Sequence, residues 1–257
     1  MAGTDHAAAA EPGAPSPVFV LVAPQMGENI GASARAMWNF GLDRMRLVAP
    51  RDGWPNPKAE ATASGAGPVL DHVRVMESVA EACADLELVF ATTVRPRGLA
   101  KLVLTPERAM AEARAAIAGG ARVGVLFGPE RAGLATADVA RASAIVTVPV
   151  NPGFGSLNLA QCVLILAQEW LRSADATPPA EYALAGARRA RSQEIDRLRD
   201  HLVERLDAAG FFFPPEKRAS MVTNLENLLR RTPLTDADVR TAHGIIRALA
   251  STRARRE

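Results

Sequence analysis

The chain has 257 residues, 48% hydrophobic and 23% charged, with a formal net charge of +2 and an isoelectric point near 8.8. These values describe a globular protein of one large or two modest domains, and they permit nucleic-acid binding without requiring it. No apolar run approaches the roughly 18 residues that span a bilayer. Cys83 and Cys162 give no disulfide framework, and none of His6, His72, His201 and His243 pairs with Cys or carboxylate at metal-ligand spacing, so no metal is expected.

The first stretch, MAGTDHAAAAEPGAPSP, has neither the basic nor the apolar region of a secretory signal and reads as a disordered tail over 1–16. A reduced cytoplasmic setting is expected. Short β-branched runs then alternate with helix-like segments. The predicted strands are Val18–Val22, Met45–Val48, Val73–Met76, Leu86–Ala91, Val123–Phe127 and Ala144–Val148. Between them the pattern predicts helices over Ile30–Phe40, Glu77–Ala84, Pro106–Ala118 and Thr136–Arg141. Asn29 reads as an N-cap and Gly41 as a C′ residue. This alternation predicts an α/β fold with a mostly parallel sheet, whose ligands bind at the carboxyl ends of the strands.

A further helix is predicted from Ser156 to about Arg172, with Leu159, Val163, Leu166 and Trp170 on one face. The composition then changes. Residues 174–191 are small, Pro-containing and finally basic, and read as a linker. Residues 192–257 show no convincing strand. Three amphipathic helices are marked by Ile195, Leu198, Leu202 and Leu206, by Met221, Leu225, Leu228 and Leu229, and by Val239, Ile246 and Leu249. Thr235 or Asp236 would cap the last. This piece is the more basic one, with 15 Lys+Arg against 12 Asp+Glu in 175–257. Arg-rich composition suits phosphate contacts and follows equally from GC-rich coding.

Four loop segments carry the candidate chemistry. Gly128-Pro-Glu130-Arg131-Ala-Gly133-Leu134 follows an apolar strand, where glycine lets backbone approach a ligand. A plain βα turn with a surface ion pair would look the same. Asn151-Pro-Gly-Phe-Gly155-Ser156-Leu157-Asn158 is one glycine short of a dinucleotide fingerprint and follows the last strand rather than the first. Its backbone N–H groups could still bind a nucleoside or carboxylate. Asn29-Ile-Gly31-Ala-Ser-Ala-Arg35 places an arginine on a helix of small residues. Thr92-Thr93-Val94-Arg95-Pro-Arg97 sets two arginines at a strand end, which points to an anion site.

Taken in order, N-x-G-x-x-x-R, G-P-E-R-x-G-L and P-x-N-P-x-x-x-S-L-N-L-A-Q resemble the three motifs of the SpoU branch of the SPOUT superfamily of RNA methyltransferases, over about residues 17–173. The TTVRPR segment, with Asn224-Leu-Glu-Asn-Leu-Leu-Arg-Arg231 and Leu234-Thr-Asp-Ala-Asp, looks most like TrmJ-type tRNA 2′-O-methyltransferases. The resemblance implies a deep C-terminal trefoil knot followed by a small all-helical extension that grips RNA or supports a dimer. It implies S-adenosylmethionine as methyl donor, held by Thr92, Thr93, Val94, Gly128, Val148, Gly155, Ser156 and Leu157. It implies tRNA as substrate, placed by Asn29, Arg35, Arg95, Arg97, Glu130 and Arg131, and modified at a cytidine or uridine of anticodon-loop position 32. Arg35, Arg97 and Ser156 would be the catalytic residues. A homodimer is implied, with no membrane or DNA partner. Ribosomal RNA, another tRNA position and a catalytically silent RNA-binding module remain open alternatives. Because a guanidinium stays protonated, Arg35 is expected to act electrostatically. Cys162, beside an apolar helix face, reads as an inert thiol.

Overall fold

Strand β1 (Val18–Val22) is VFVLV and is buried at every residue. Such a run, lacking alternation, belongs in a parallel sheet covered on both faces. The computed structural model describes residues 15–94, 98–177, 184 and 186–254, with backbone alone for 252–254. Residues 1–14 of the tail predicted over 1–16, Arg95, Arg97 and part of the predicted linker lie outside the described residues. The chain divides into two compact units, Met1–Thr177 and Pro178–Glu257.

In the first unit, β1 leads to α1 (Gly27–Asn39), β2 (Met45–Val48), α2 (Pro57–Ala63), α3 (Gly67–Asp71), β3 (Arg74–Met76), α4 (Val79–Ala82) and β4 (Leu88–Thr92). Then come β5 (Leu102–Leu104), α5 (Pro106–Ala118), β6 (Val123–Phe127), α6 (Thr136–Arg141), β7 (Ala144–Val146) and α7 (Leu159–Arg172). The seven strands form one sheet in the order β3-β2-β1-β6-β4-β7-β5. Every pairing is parallel.

One face of the sheet packs against Ile30 and Met37 of α1, Ala59 of α2, Met110 of α5, and Val163, Leu166 and Trp170 of α7. The other face carries Val18, Val20, Val48 and Met76, covered by Val79 and Ala82 of α4 and Val139 of α6. The arrangement is three-layered α/β. Helix α1 lies so close to α2 that a Cβ on Gly31 would stand 2.1 Å from the Ala59 carbonyl oxygen. Only glycine fits there.

The structure shifts several predicted boundaries. Helix α1 begins at Gly27 behind Met26, which makes no side-chain cap, so Asn29 is inside the helix. Helix α7 begins at Leu159 with Asn158 as its cap, rather than at Ser156. Strand β7 ends at Val146, leaving Val148 in the following loop. Strand β5 and helices α2 and α3 were not legible as elements.

The second unit, taken alone, holds α8 (Ser192–Ala208), a 3₁₀ turn (Pro215–Lys217), α9 (Arg218–Arg231) and α10 (Asp236–Ala254). Thr235 caps α10: its Oγ1 accepts from Asp238 N at 3.1 Å, and Asp238 accepts from Thr235 N at 2.8 Å. Its buried apolar side chains among the described residues are Leu198, Phe212 and Val239. Ion pairs also link α8 to α9. Arg230 of α9 reaches Asp196 of α8 at 2.5 Å, and Arg199 of α8 reaches Glu226 of α9 at 3.3 Å. Leu228 and Leu249 stay exposed, at 46% and 69%.

Candidate active site

The carboxyl ends of β4, β6 and β7 open into a cavity of about 300 Å³. Three chain segments that the sequence singled out separately meet in it. From the end of β4 come Thr92, Thr93 and Val94; from the loop after β6 come Gly128, Glu130 and Arg131; from the loops after β7 come Val148, Gly155, Ser156 and Leu157. Phe127, Val146, Leu159 and Cys162 complete its apolar walls.

Local hydrogen bonds fix these segments. Thr92 Oγ1 donates to the Leu126 carbonyl at 2.8 Å, tying β4 to β6. Thr147 Oγ1 donates to the Thr93 carbonyl at 2.8 Å, and Thr93 N donates to Val146 O at 3.1 Å. The loop after β6 closes tightly, with Gly133 N donating to Pro129 O at 2.8 Å. A Cβ on Gly128 would stand 2.3 Å from Leu134 N and 2.5 Å from the Gly133 carbonyl carbon. Because both are backbone atoms, position 128 admits no side chain without opening the loop.

Three of the motif segments are joined by a chain of polar contacts. Glu130 Oε1 accepts from Asn29 Nδ2 at 2.6 Å, and Glu130 Oε2 accepts from Gln25 N at 3.0 Å. Asn158 Nδ2 donates to Asn29 Oδ1 at 3.0 Å. Asn158 Oδ1 in turn accepts from Ala160 N at 2.9 Å and Gln161 N at 3.4 Å, capping α7. Helix α1, the loop after β6 and the start of α7 are thereby locked together. The amide of Asn29, 9% exposed, is spent on this lock rather than on capping its own helix. The contribution of Gln25 was not foreseen. Its position just past the end of β1, where ligands gather in parallel sheets, was the available signal.

Arg35 is exposed on α1 and does not line the cavity. Ser156 lines it and is exposed. Arg95 and Arg97 lie outside the described residues. Cys162 is half-buried on the cavity wall, and burial pushes its thiol up to about 11, with its contact to the Thr92 side chain acting the other way. At neutral pH it stays protonated and is a poor nucleophile.

The cavity suits a nucleoside-bearing ligand. Its walls are apolar, and among the described residues the backbone N–H groups of Gly155, Ser156 and Leu157 donate to no protein acceptor. A Cβ on Gly155 would meet only Val150 Cγ2, at 3.9 Å. Unspent backbone donors beside apolar walls can hold an adenosine in orientation.

The fold and this constellation define a class. Residues 16–168 match the SpoU rRNA Methylase family, and the chain belongs to that family of methyltransferases. Members it resembles include TrmJ proteins. The tRNA (cytidine/uridine/adenosine-2′-O-)-methyltransferase TrmJ of Pseudomonas aeruginosa is 31% identical, over 88% of this chain and 91% of that protein. The tRNA (cytidine/uridine-2′-O-)-methyltransferase TrmJ of Cronobacter sakazakii is 30% identical, over 91% and 96%. The crystal structure of TrmJ from Z. mobilis ZM4 superposes with a TM-score of 0.79 at 48% identity, covering 91% of this chain and 99% of that one.

Proposed function

We propose that this protein transfers a methyl group from S-adenosylmethionine to a ribose 2′-hydroxyl of tRNA, at a cytidine or uridine of anticodon-loop position 32. The observation that carries the reading is the convergence of the segments after β4, β6 and β7 on one largely apolar cavity with unspent backbone donors. The names of the TrmJ relatives support tRNA as substrate. In this reading the chain from β6 to α7 forms a trefoil knot, and two copies pair as a homodimer in the cytoplasm. The N-terminal unit is the catalytic domain, and the helices from residue 192 form an extension that grips RNA or supports the dimer.

The donor would supply an electrophilic methyl group on a sulfonium. Gly155, Ser156 and Leu157 would bind it through backbone N–H groups, and Thr92, Thr93, Val94, Gly128 and Val148 would wall it. Ser156 also stands where it can orient a reacting group. Asn29, Glu130 and Arg131 hold the rim against which RNA docks. Arg35, with Arg95 and Arg97, would hold RNA phosphates, and Arg35 and Arg97 would stabilise charge developing on the 2′-oxygen. A positioned cation acts this way without giving up its proton. Fixing the hydroxyl against the methyl carbon supplies much of the acceleration.

The test is methyl transfer. The protein is incubated with radiolabelled S-adenosylmethionine and unmodified tRNA, with ribosomal RNA in parallel, and nucleosides are identified by mass spectrometry. A 2′-O-methylated cytidine or uridine from tRNA alone is expected. Product from ribosomal RNA alone, or none with donor still bound, would overturn the proposed substrate or the proposed activity.

A further inference from the structure

A second cavity, of about 600 Å³, opens at the opposite end of the sheet, around the amino ends of β1, β2, β3 and β6. Its wall includes Ser16, Arg44, Arg46, Arg74, Asp85 and Arg122. We infer that this cavity is a phosphate-binding site, separate from the methyl-transfer site.

The sheet register puts the arginines together. Arg46 of β2 is the direct partner of Arg74 of β3, so their side chains leave the same face. Arg44 lies two residues before Arg46 and shares that face by the alternation of extended chain. Its carbonyl still accepts from Phe19 N at 2.9 Å, so the extended pairing reaches it. Three guanidinium groups therefore stand on one face at one end.

Only part of that charge is answered from within. Arg46, 6% exposed, takes Asp85 in a two-pronged pair at 2.5 and 2.8 Å and gives a further hydrogen bond to the Ala82 carbonyl at 2.6 Å. Asp85 is consumed by this contact. Arg122 pairs with Glu87 at 3.3 Å on the exposed side. Arg44 and Arg74 are exposed and have no acidic partner among the described residues. Asp43 is the other acid on the wall.

Ser16 supplies the independent observation. It is 7% exposed, it lines this cavity, and its Oγ has no hydrogen-bond partner among the described residues. Buried hydroxyls are ordinarily satisfied. A donor left over on the same cavity wall as two guanidinium groups without an acidic partner among the described residues matches an anion with several acceptor oxygens. A phosphate offers more of these than a carboxylate and suits the guanidinium fork.

The site is not the one that places the reacting ribose. The five residues of β1 alone separate the two ends by roughly 15 Å at about 3.3 Å per residue. The phosphate has two chemical sources: a phosphodiester of an RNA chain that extends past the reacting nucleotide, or a free phosphorylated small molecule.

The experiment compares the full chain with the R44Q/R74Q and S16A variants, neither of which touches the methyl-transfer cavity. Inorganic phosphate is titrated while backbone amides are followed by NMR. Shifts confined to the amino ends of β1, β2 and β3 are expected, weakened at least about tenfold in R44Q/R74Q and more modestly in S16A. Unmodified tRNA is then titrated at several salt concentrations. If RNA is the source, R44Q/R74Q weakens tRNA binding and lowers the salt slope by about one to two. Unchanged tRNA binding with phosphate binding lost assigns a free phosphorylated ligand. Phosphate shifts absent from the wild type, or equal in wild type and R44Q/R74Q, overturn the inference. S-adenosylmethionine affinity, measured on the same variants, stays unchanged, so failure here is distinguishable from failure of the proposed methyl transfer.

Discussion

Replacing Glu130 by glutamine tests the lock that joins the three motif segments. Glu130 is an acceptor at both oxygens, toward Asn29 Nδ2 at 2.6 Å and Gln25 N at 3.0 Å. Glutamine keeps the shape but turns one acceptor into a donor, which must face another donor. Flipping Asn29 relieves that clash only by turning its own amine toward Asn158 Nδ2. Flipping Asn158 then withdraws the acceptor from Ala160 N and Gln161 N, uncapping α7. The conflict moves along the chain and is relieved nowhere. A hydrogen bond to a charged group is worth about 1.5–3 kcal/mol. Partial exposure of Glu130 lowers the expected cost to about 1–2 kcal/mol. For a unit of this size that lowers Tm by roughly 3–6 °C. Thermal unfolding followed by circular dichroism measures it, and calorimetric titration with S-adenosylmethionine should show weakened binding, because the cavity loop carries Glu130. A variant with wild-type Tm and wild-type affinity would refute the reasoning.

Three further predictions follow from the same geometry. Gly128→Ala forces the loop after β6 open against backbone atoms, so donor affinity should fall more than about tenfold while stability drops by about 1–3 kcal/mol; equal affinity by calorimetry would contradict this. Arg35→Ala should leave donor affinity within about twofold, since Arg35 is absent from the cavity wall, and lower methyl transfer about a hundredfold; undiminished turnover removes Arg35 from the mechanism. The Arg46 guanidinium, through its paired hydrogen bonds, lowers the Asp85 carboxyl to about 2 from an ordinary 3.8. A depressed carboxyl stabilises the fold above its unfolded value and loses that effect as pH falls through the folded one. Asp85 is 36% exposed, so screening leaves about 1 kcal/mol. Urea unfolding between pH 4 and pH 2 should show wild type losing about that much relative to an R46M/D85L variant, and a constant difference would count against the pair.

The sequence made the central sheet readable because its strands are covered on both faces. VFVLV and VGVLF have no other plausible home. Strand β5 is three residues long, with Leu102 and Val103 exposed, so neither length nor pattern announced it. Helices α2 (PKAEATA) and α3 (GPVLD) are too short to show a repeating apolar stripe. The clue to α2 was Asn56-Pro57, an N-cap followed by the residue that suits a first helical position. The residues that line the cavity were named through the family resemblance that the motifs carry. Their contacts were not, because capping rules are local. Asn29 scores as a cap by its neighbours, yet its partners are Glu130 and Asn158, more than 100 positions away. Asn158 caps a helix whose start the pattern had placed at Ser156, with Gln161 closing the box.

That long-range polar chain has a consequence for biosynthesis. Its first member is residue 25 and its last is residue 161. A ribosome adding roughly 5–20 residues per second exposes the first long before the last exists. Late in that interval, once β6 and β7 are made, the nascent chain has all its strands and still lacks a completed ligand cavity. Donor binding is therefore a late event in the life of each molecule. A chain truncated before α7 should bury much of its core and still bind nothing, so ligand binding reports on completion of the chain as well as on its fold.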